Sequence, residues 1–402
     1  MGIPNKSEMK ASSDRMRNLS QHFFAGWVSK IQEMQAAGKD VIRLDVGSPD
    51  LPPAPEILAA LSRSAASNSS HGYQSHLGPR ALRDAWAGTY ARLHQVELDP
   101  DTEIVPLLGS KEGIFNLVMA CIDPGDIVLI PDPSYITYTR ATQFAGGKPN
   151  YLPLIEERGF LPDLQAVPAE ILQHARMLWL NYPNNPTAAT ATGDFFAQAV
   201  AFAQEHDLLV CHDAAYTQVT YNGYQAPSIL EARGAKAVAV EFNTLSKSHN
   251  MAGWRVGAAL GNAQALQSLY RLKTNLDSGH FLPVMEAATA ALNGDQSWLL
   301  ERNRIYQERR DTVIQALHAI ELQAGVPKAS LYIWCPAPPG WTSVEFATVL
   351  LEEACISLTP GTVFGEGGEG YVRISLTAPV ERLEEAMQRL KEVIQEKRRT
   401  GT

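Results

Sequence analysis

The segment GDFFAQAVAFAQEHDLLVCHD, residues 193–213, carries the pattern that decides the fold. Its first part, 193–207, spaces apolar residues as one face of an amphipathic helix does. Its last part, 207–213, is a continuous apolar run that ends in an aspartate. A strand that is apolar on both faces is typical of a sheet covered by helices on both sides. The segment therefore predicts a helix followed by a buried strand of a parallel sheet.

The same alternation of helix and apolar strand extends in both directions along the chain. A helix is predicted at 112–122, between two of the apolar runs. The remaining runs lie at 103–108, 126–132, 175–183 and 237–243. This order predicts an α/β protein whose large domain has a mostly parallel sheet flanked by helices.

The pattern changes beyond residue 280, where a long amphipathic helix and short alternating strands predict a second, smaller α/β domain. These elements are a helix at 297–320, strands at 330–336, 356–361 and 370–376, and a closing helix at 379–399. We assign residues 1–49 to an N-terminal arm that joins the small domain, 50–280 to the large domain and 281–402 to the small C-terminal domain.

The composition limits the partners and the compartment. A net charge of −9 argues against nucleic acid or an anionic membrane surface as the main partner. The four cysteines are far apart in the sequence, which is typical of free thiols in a reducing cytoplasm. The first thirty residues lack the apolar core of a secretory signal, and no apolar run is long enough to span a membrane. We therefore expect a cytoplasmic protein.

The run at 103–108 is followed by Gly109, Ser110 and Lys111 at the start of a predicted helix. Ligands of open α/β sheets bind at the carboxyl ends of the strands, and a helix start offers free N–H groups to an anion. This segment is therefore a candidate anion site. Taken alone, an ordinary turn in which Ser110 caps the helix is the simpler interpretation.

Two further strand ends carry polar side chains. Asn185 lies in NYPNNPT, where two prolines stiffen the backbone, and Asp213 and Tyr216 lie in HDAAY. A carboxylate at the tip of an apolar strand requires a partner. A plain turn at Asn185, a helix cap at Asp213 and core packing at Tyr216 are the alternatives. His212 points away from Asp213 on a strand, so we interpret it as a structural histidine.

The fourth strand end is NTLSKSHNMAGWR, residues 243–255. It places Lys247 among the hydroxyl groups of Thr244 and Ser246, with Arg255 eight positions further on. Most lysines lie in water, so a lysine directly after a buried strand is a candidate functional group. Each of the four strand ends is a weak signal, but together they predict one ligand site.

In this order, the motifs resemble the class I and II aminotransferases, enzymes of amino-acid metabolism that have fold type I and use pyridoxal 5′-phosphate (PLP). The resemblance covers nearly the whole chain. It is extended by LDVGSPDLP, GYQSHLGPRALRDA, PDPSYITY and PGTVFGEGGEGYVRISL. The pair LGSKEGI and NYPNNPT is most similar to the alanine and LL-diaminopimelate branch of the family.

The resemblance implies roles for the residues at the strand ends. Lys247 would carry PLP as an internal aldimine and would then move the proton between substrate and cofactor. Asp213 would keep the pyridine nitrogen protonated, which makes the ring an electron sink. Asn185 and Tyr216 would bond the 3′ oxygen of the ring, and Tyr135 would stack on its face. The residues implied for the phosphate are Gly109, Ser110, Lys111, Thr244, Ser246 and Arg255.

Further residues are implied for the substrate and for a second subunit. Arg373 would grip the substrate carboxylate, with Asn185 beside it, and Gly47 would let the backbone lie close to the substrate. Tyr73 would reach the phosphate of a neighbouring subunit, which implies a homodimer with shared active sites. No metal is implied.

The resulting interpretation is an aminotransferase that moves an amino group between an L-amino acid and a 2-oxo acid by a ping-pong mechanism. A PLP-dependent lyase or synthase of the same fold is the alternative, since fold alone does not select the bond that is cleaved. A ligand-sensing regulator is disfavoured, because it would need a DNA-binding domain and the first forty residues are too short and insufficiently basic for one.

The sequence departs from the family pattern at three positions, and one segment bears on the choice of substrate. Ala188 stands where the family has glycine, Thr244 stands where serine is common, and no proline follows Tyr135. The segment NLDSGHF, 275–281, lacks the arginine that a dicarboxylate-specific enzyme uses there. Asp277 either forms a turn, which we prefer, or favours an amino-bearing side chain. The sequence thus indicates alanine, LL-diaminopimelate or a broad neutral range.

Overall fold

The computed structural model describes Ser13, Met16 and residues 23–400. The chain separates into two compact units, Met1–Val41 and Ile42–Thr402. Helix α1, Phe23–Ala36, belongs to the first unit. All other elements belong to the second. The division into 1–49, 50–280 and 281–402 stays a prediction.

A seven-stranded sheet forms the centre of the second unit. Its strands are β2 (Ile104–Leu107), β3 (Ile127–Asp132), β4 (Lys148–Pro153), β5 (Ala175–Leu180), β6 (Leu209–Asp213), β7 (Ala239–Thr244) and β8 (Gly257–Gly261). Their spatial order is β2-β8-β7-β6-β5-β3-β4. β8 is antiparallel to both of its neighbours, β2 and β7, and every other adjacent pair of this sheet is parallel. The predicted fold class, with a mostly parallel sheet, is confirmed.

Two strands of this sheet carry no signal that the sequence analysis used. β4 is an edge strand whose residues are mostly exposed and include two prolines, so it lacks an apolar run. β8 consists of small residues, GAALG. A Cβ atom on Gly257 would lie 2.6 Å from the carbonyl oxygen of Asn243. The close pairing of β8 with β7 therefore requires glycine at this position.

Helices cover the sheet on both faces. They are α2 (Pro55–Ala65), α3 (Arg80–His94), α4 (Ser110–Cys121), α5 (Thr137–Ala145), α6 (Ala169–Leu172), α7 (Gly193–Glu205), α8 (Leu245–Ser248), α9 (Ala263–Lys273) and α10 (Leu282–Asn293). Alternate side chains of β5 enter two different core clusters. Leu178 belongs to the cluster with Phe196, and Trp179 to the cluster with Phe242. This two-sided burial explains why the central strands are continuous apolar runs.

The remaining elements form smaller sheets and their helices. β9 (Tyr332–Pro336), β11 (Thr359–Pro360) and β12 (Tyr371–Ser375) form an antiparallel sheet in the order β11-β12-β9, while β1 (Ile42–Arg43) pairs in parallel with β10 (Ile356–Ser357). The helices are α11 (Trp298–His318), α12 (Ser343–Ala354) and α13 (Val380–Thr400). Across the described part of the chain, no helix is both long and apolar enough to cross a membrane.

Candidate active site

The sheet topology brings the four polar strand ends to one edge. β2, β5, β6 and β7 all run in the same direction, so their carboxyl ends meet there. The antiparallel strand β8 begins at this edge, where Gly257 lies opposite both Leu107 and Thr244. The four strand ends that carry polar sequence motifs therefore lie at the same edge of the sheet.

Lys247 lies in the one-turn helix α8 directly after β7. Its Nζ donates a hydrogen bond to the carbonyl oxygen of Gly47. Burial lowers the pKa of Lys247, and the charges of Arg373 and Arg255 lower it further, although Tyr332 and Asp213 act in the opposite direction. A lowered pKa favours the neutral amine, which is the form that can accept a proton or attack a carbonyl group.

Asp213 is 5 % exposed at the end of β6. The hydroxyl of Tyr138 donates to Oδ2 at 2.8 Å, whereas Oδ1 is buried without a hydrogen-bond partner among the described residues. Burial raises the pKa of Asp213 to about 6, against the lowering effect of the Tyr138 bond. An unpartnered buried carboxylate oxygen is unfavourable, so this atom is suited to a ligand that carries a proton or a positive charge.

The NYPNNPT segment ties this aspartate to the substrate side of the site. Asn181 donates to the carbonyl oxygen of Asp213 at 2.6 Å and accepts from the backbone N–H of Asn185 at 2.8 Å. Asn185 in turn accepts from Arg373 at 2.7 Å. Ala188, where the family has glycine, adopts a left-handed φ of 58°. This conformation is costly for alanine and is adopted by glycine without that cost.

Arg373 lies in β12, is buried and contacts two aromatic rings. Its guanidinium carbon is 4.1 Å from the ring centroid of Tyr332 and 4.7 Å from that of Phe364. Besides Asn185, it donates to the carbonyl oxygen of Asp45 at 2.8 Å. Its Nε is buried without a hydrogen-bond partner among the described residues. A stacked arginine with a spare donor is suited to bind a carboxylate.

Tyr216 and Tyr332 form a hydroxyl pair, with 3.0 Å between their oxygens. Burial raises the pKa of Tyr216 well above its usual value. Burial also acts to raise the pKa of Tyr332, but the charges of Arg373 and Lys247 outweigh it and the pKa is lowered. Either hydroxyl can be the donor of this bond. A Cβ on Gly47 would lie 2.6 Å from Cζ of Tyr332, so glycine is required at position 47.

The start of α4 and the side chain of Arg255 form a second group. Gly109 precedes α4 with a φ of 81°, and a Cβ atom on it would collide with the guanidinium of Arg255. A Cβ on Gly257 would lie 3.2 Å from the backbone nitrogen of Ser110. Arg255 is exposed and donates to the carbonyl oxygen of Ala252 at 2.7 Å. A helix start with an arginine beside it is suited to bind a phosphate.

The remaining residues implied for the cofactor have local contacts. Thr244 Oγ1 accepts from the backbone N–H of Ser246 at 3.2 Å and lies 2.9 Å from its hydroxyl, so it caps the one-turn helix. Lys111 is exposed, with its Nζ 6.0 Å from the ring centroid of Tyr135. Tyr73 is 94 % exposed.

Asp277 bonds within its own segment and its neighbouring helix. Its Oδ2 accepts from the buried Lys273, and its Oδ1 accepts from the backbone N–H of Gly279 at 2.9 Å. This geometry agrees with the turn-forming interpretation. Both carboxylate oxygens are engaged, so the side chain offers little to a substrate amine.

Two functional contacts were missed by the sequence analysis. Tyr138, which bonds Asp213, lies one helical turn after Tyr135, and that spacing could have indicated a second aromatic side chain at the site. Tyr332 contacts Arg373 and Tyr216 from a strand that is distant in sequence. Only the pairing of β9 with β12 brings it there, and no local signal reveals this pairing.

The groups at this edge fit one kind of cofactor. They comprise an anion site at a helix start, a buried carboxylate oxygen for a protonated ring nitrogen, and an amine with a lowered pKa for a carbonyl carbon. PLP carries all three complementary groups. Within the described residues, no cluster of histidine, cysteine, aspartate and glutamate could hold a metal ion. The fold and the site thus define a PLP enzyme of fold type I.

Comparisons with known proteins identify the family. The family model "Aminotransferase class I and II" matches residues 39–390. An LL-diaminopimelate aminotransferase from Syntrophobacter fumaroxidans is 47% identical over 95% of this chain and 98% of the relative. One from Desulforudis audaxviator is 48% identical over 94% and 96%. The chain belongs to the class I and II aminotransferases.

Solved structures agree with this assignment. Substrate-bound BacF from Bacillus subtilis has a TM-score of 0.92 at 36% identity, covering 96% of this chain and 98% of that one. An aspartate aminotransferase from Thermus thermophilus has a TM-score of 0.90 at 28% identity, covering 96% and 100%. The protein is a PLP-dependent aminotransferase, and the alternative of a lyase is not favoured.

Proposed function

We propose that this enzyme transfers an amino group from LL-diaminopimelate to a 2-oxo acid. The observation that carries the proposal is the identity of 46–48% to LL-diaminopimelate aminotransferases over 94–95% of the chain. The absence of an arginine from 275–281 supports a substrate other than aspartate. Because Asp277 bonds Lys273, it does not act as the selecting group in this proposal.

Lys247 would hold the aldehyde carbon of PLP and would move the substrate proton. When bound, PLP supplies an electron sink that stabilises negative charge at the substrate Cα. The lowered pKa of Lys247 makes its Nζ a base that can take the Cα proton, and the same atom then returns a proton as an acid. The contact with the Gly47 carbonyl oxygen orients this amine before it acts.

Asp213 would hold a proton at the ring nitrogen through Oδ1, its unpartnered oxygen. Tyr138 helps to orient the carboxylate by donating a hydrogen bond to the other oxygen. Asn185 and Tyr216 would bond the 3′ oxygen of the ring, and Tyr135 would pack on its face. The groups proposed for the phosphate are Gly109, Ser110, Lys111, Thr244, Ser246 and Arg255.

Arg373 would bind the substrate carboxylate. Its Nε is free for this purpose, while Asn185 and the Asp45 carbonyl hold the remainder of the guanidinium. Gly47 lets the backbone pack directly against Tyr332, and the substrate would bind beside this contact. Binding energy at this arginine orients the Cα–H bond toward Lys247.

A panel of amino donors tests the proposed substrate. LL-diaminopimelate, alanine, aspartate and an aromatic amino acid are each offered with 2-oxoglutarate or pyruvate, and kcat/KM is measured. We expect LL-diaminopimelate to exceed every other donor by at least about tenfold, the discrimination that one or two specific contacts provide. A higher kcat/KM with alanine or aspartate would contradict the proposal. Ammonia and pyruvate released without an acceptor from an added amino acid that has a leaving group on its β-carbon would indicate lyase chemistry.

We also propose a homodimer with shared active sites. Tyr73 is 94 % exposed, and Leu276 and Phe281 are exposed at 60% and 45%. The ring centroids of His71 and Phe281 lie 6.0 Å apart. The segment that contains Tyr73 and the segment 275–281 are therefore neighbours. Apolar groups that are exposed together favour contact with another subunit.

Subunit complementation tests this assembly. The variants Lys247→Ala and Tyr73→Ala should each be impaired, and a mixture of the two should recover activity. Recovery is expected because one site of a mixed dimer has an intact Lys247 and an intact Tyr73 of the neighbouring subunit. The same mixture held under conditions without subunit exchange is the control. Sedimentation as a monomer, or no recovery despite exchange, would contradict shared sites.

A cytoplasmic location and the division into two domains remain part of this proposal. All four cysteines are free, which supports a reducing compartment. The separate seven-stranded and three-stranded sheets support a large and a small domain. Limited proteolysis that fails to cleave near residue 50 or 280 in any state would count against these boundaries.

A further inference from the structure

The glycine-rich segment that precedes β12 packs against the end of β3. The carboxylate oxygen Oδ2 of Asp132 accepts a hydrogen bond from the backbone N–H of Gly367 at 3.1 Å. Two residues further along, the backbone N–H of Ser134 donates to the carbonyl oxygen of Phe364 at 2.8 Å. These two bonds fasten segment 364–367 to the carboxyl end of a central strand.

The glycines of this segment are explained by Asp132. Gly365 has a φ of 134°, and a Cβ atom built on it would collide with Oδ1 of Asp132. A Cβ atom on Gly367 would lie 2.8 Å from the carbonyl oxygen of Asp132. Because any larger residue would be pushed out at both positions, the glycines keep the segment in direct contact with this aspartate.

Segment 364–367 begins with a residue that contacts the proposed substrate arginine. The Phe364 ring centroid lies 4.7 Å from the guanidinium carbon of Arg373, and the Tyr332 ring lies 4.1 Å from the same carbon. Ring contacts of this kind favour particular orientations of the guanidinium group. A shift of Phe364 would therefore change the direction of the Arg373 donors.

Asp132 itself is in an unfavourable environment. Its Oδ1 is buried without a hydrogen-bond partner among the described residues. Burial raises the pKa of Asp132, although the bond from Gly367 acts to lower it. A carboxylate with an unpartnered oxygen is a poor choice for stability alone. The contact between Asp132 and segment 364–367 gives this aspartate a role other than stability.

We infer that Asp132 is a positioning residue for the substrate carboxylate: it fixes segment 364–367, and through Phe364 it aims Arg373. This inference rests on the proposed role of Arg373. Asp132 touches neither of the groups that would move protons, so its effect should fall on substrate binding and not on the chemical step.

The test compares Asp132→Ala with the conservative variant Asp132→Asn in the holoenzyme. We expect Asp132→Ala to raise KM for both the amino donor and the 2-oxo acid about tenfold, with kcat within about twofold of wild type. Asp132→Asn keeps an oxygen that can accept from Gly367, so its KM should stay within about threefold. The absorbance of the bound cofactor should be unchanged in both variants.

Matched controls separate this effect from general damage. Asp126→Ala removes a carboxylate just before the start of β3, at the opposite end of the strand. Oδ2 of Asp126 accepts from the backbone N–H of Asp123 at 2.9 Å. This variant should leave KM unchanged. Should Asp132→Ala fail to fold, Gly367→Ala displaces the segment from the opposite side. Its control is Gly325→Ala, since a Cβ atom on Gly325 meets nothing within 4 Å.

The outcomes separate the role of Asp132 from the proposed role of Arg373. If Arg373→Gln raises KM while Asp132→Ala and Gly367→Ala do not, the inference is overturned and the role of Arg373 stands. If Arg373→Gln itself leaves KM unchanged, the proposed role of Arg373 fails. A fall in kcat together with loss of bound cofactor in Asp132→Ala would show a general structural role and would also overturn the inference.

Discussion

Alanine at position 247 is expected to lower the rate of amino transfer at least about 10⁴-fold, the upper range for loss of a positioned acid–base group. The effect should be this large because Nζ would both hold the cofactor and move the substrate proton. The variant should remain folded, since the site loses a group whose charged form is disfavoured by burial. Single-turnover kinetics with saturating donor measures the chemical step directly.

Two further variants make this prediction specific. Lys247→Arg keeps a positive charge, but a guanidinium stays protonated and cannot act as a base, so it should be as inactive as alanine. Lys236→Ala removes an exposed lysine that pairs with Glu103 and should retain the wild-type rate. A Lys247→Ala enzyme that keeps more than about a tenth of the wild-type rate would contradict the assignment.

Asparagine at position 213 is expected to lower kcat/KM about 10²–10³-fold, as the loss of one electrostatic partner of the reacting system does. Asparagine keeps an oxygen for Tyr138 but no longer carries the charge that would hold a proton at the ring nitrogen. Asp126→Asn, which makes the same chemical change at a carboxylate outside the site, is the control. Steady-state kinetics at saturating PLP measures the difference.

The same substitution should stabilise the apoprotein. The pKa of Asp213 is raised from 3.8 to about 6, so the folded state binds this proton more tightly than the unfolded state does. The contribution of Asp213 is therefore most favourable below pH about 4 and is lost as pH rises through about 6. Above that pH, the free energy of unfolding of Asp213→Asn should exceed that of the wild type by up to about 3 kcal/mol.

Denaturant unfolding of the two apoproteins across this pH range checks the prediction. The difference should shrink as pH falls from about 6 to about 4, because wild-type Asp213 becomes protonated in the folded state. If the wild-type apoprotein were more stable than Asp213→Asn at pH about 7.5, the buried Asp213 carboxylate would not be destabilising. That result would contradict the view that this carboxylate lacks its cationic partner in the apoprotein.

The sequence predicted the elements that repeat a strong local pattern. The central strands are buried on both faces, so each appears as an apolar run, and their polar ends marked the site. β4 and β8 were missed because an edge strand with prolines and a strand of small residues lack that pattern. Their place is fixed by pairing with strands that are distant in sequence.

Site residues that lie in a recognisable sequence motif were predicted. Contacts between residues that only the fold brings together were not. Lys247, Asp213 and Asn185 each follow a strand, so the sheet edge brings them together. The bond from Tyr138 to Asp213 and the stacking of Phe364 on Arg373 depend on side chains from separate elements. Spacing within one segment can indicate a nearby aromatic side chain such as Tyr138, but it does not reveal the partner on another element.

The central claim is that Lys247 is the residue that holds the cofactor. Borohydride reduces a carbon–nitrogen double bond between a lysine and an aldehyde to a stable secondary amine. Reduction of the holoenzyme followed by peptide mass spectrometry should therefore find the mass of the cofactor on the peptide that contains Lys247, and on no other lysine. Modification of a different lysine, such as Lys111 or Lys273, or of none, would contradict the account.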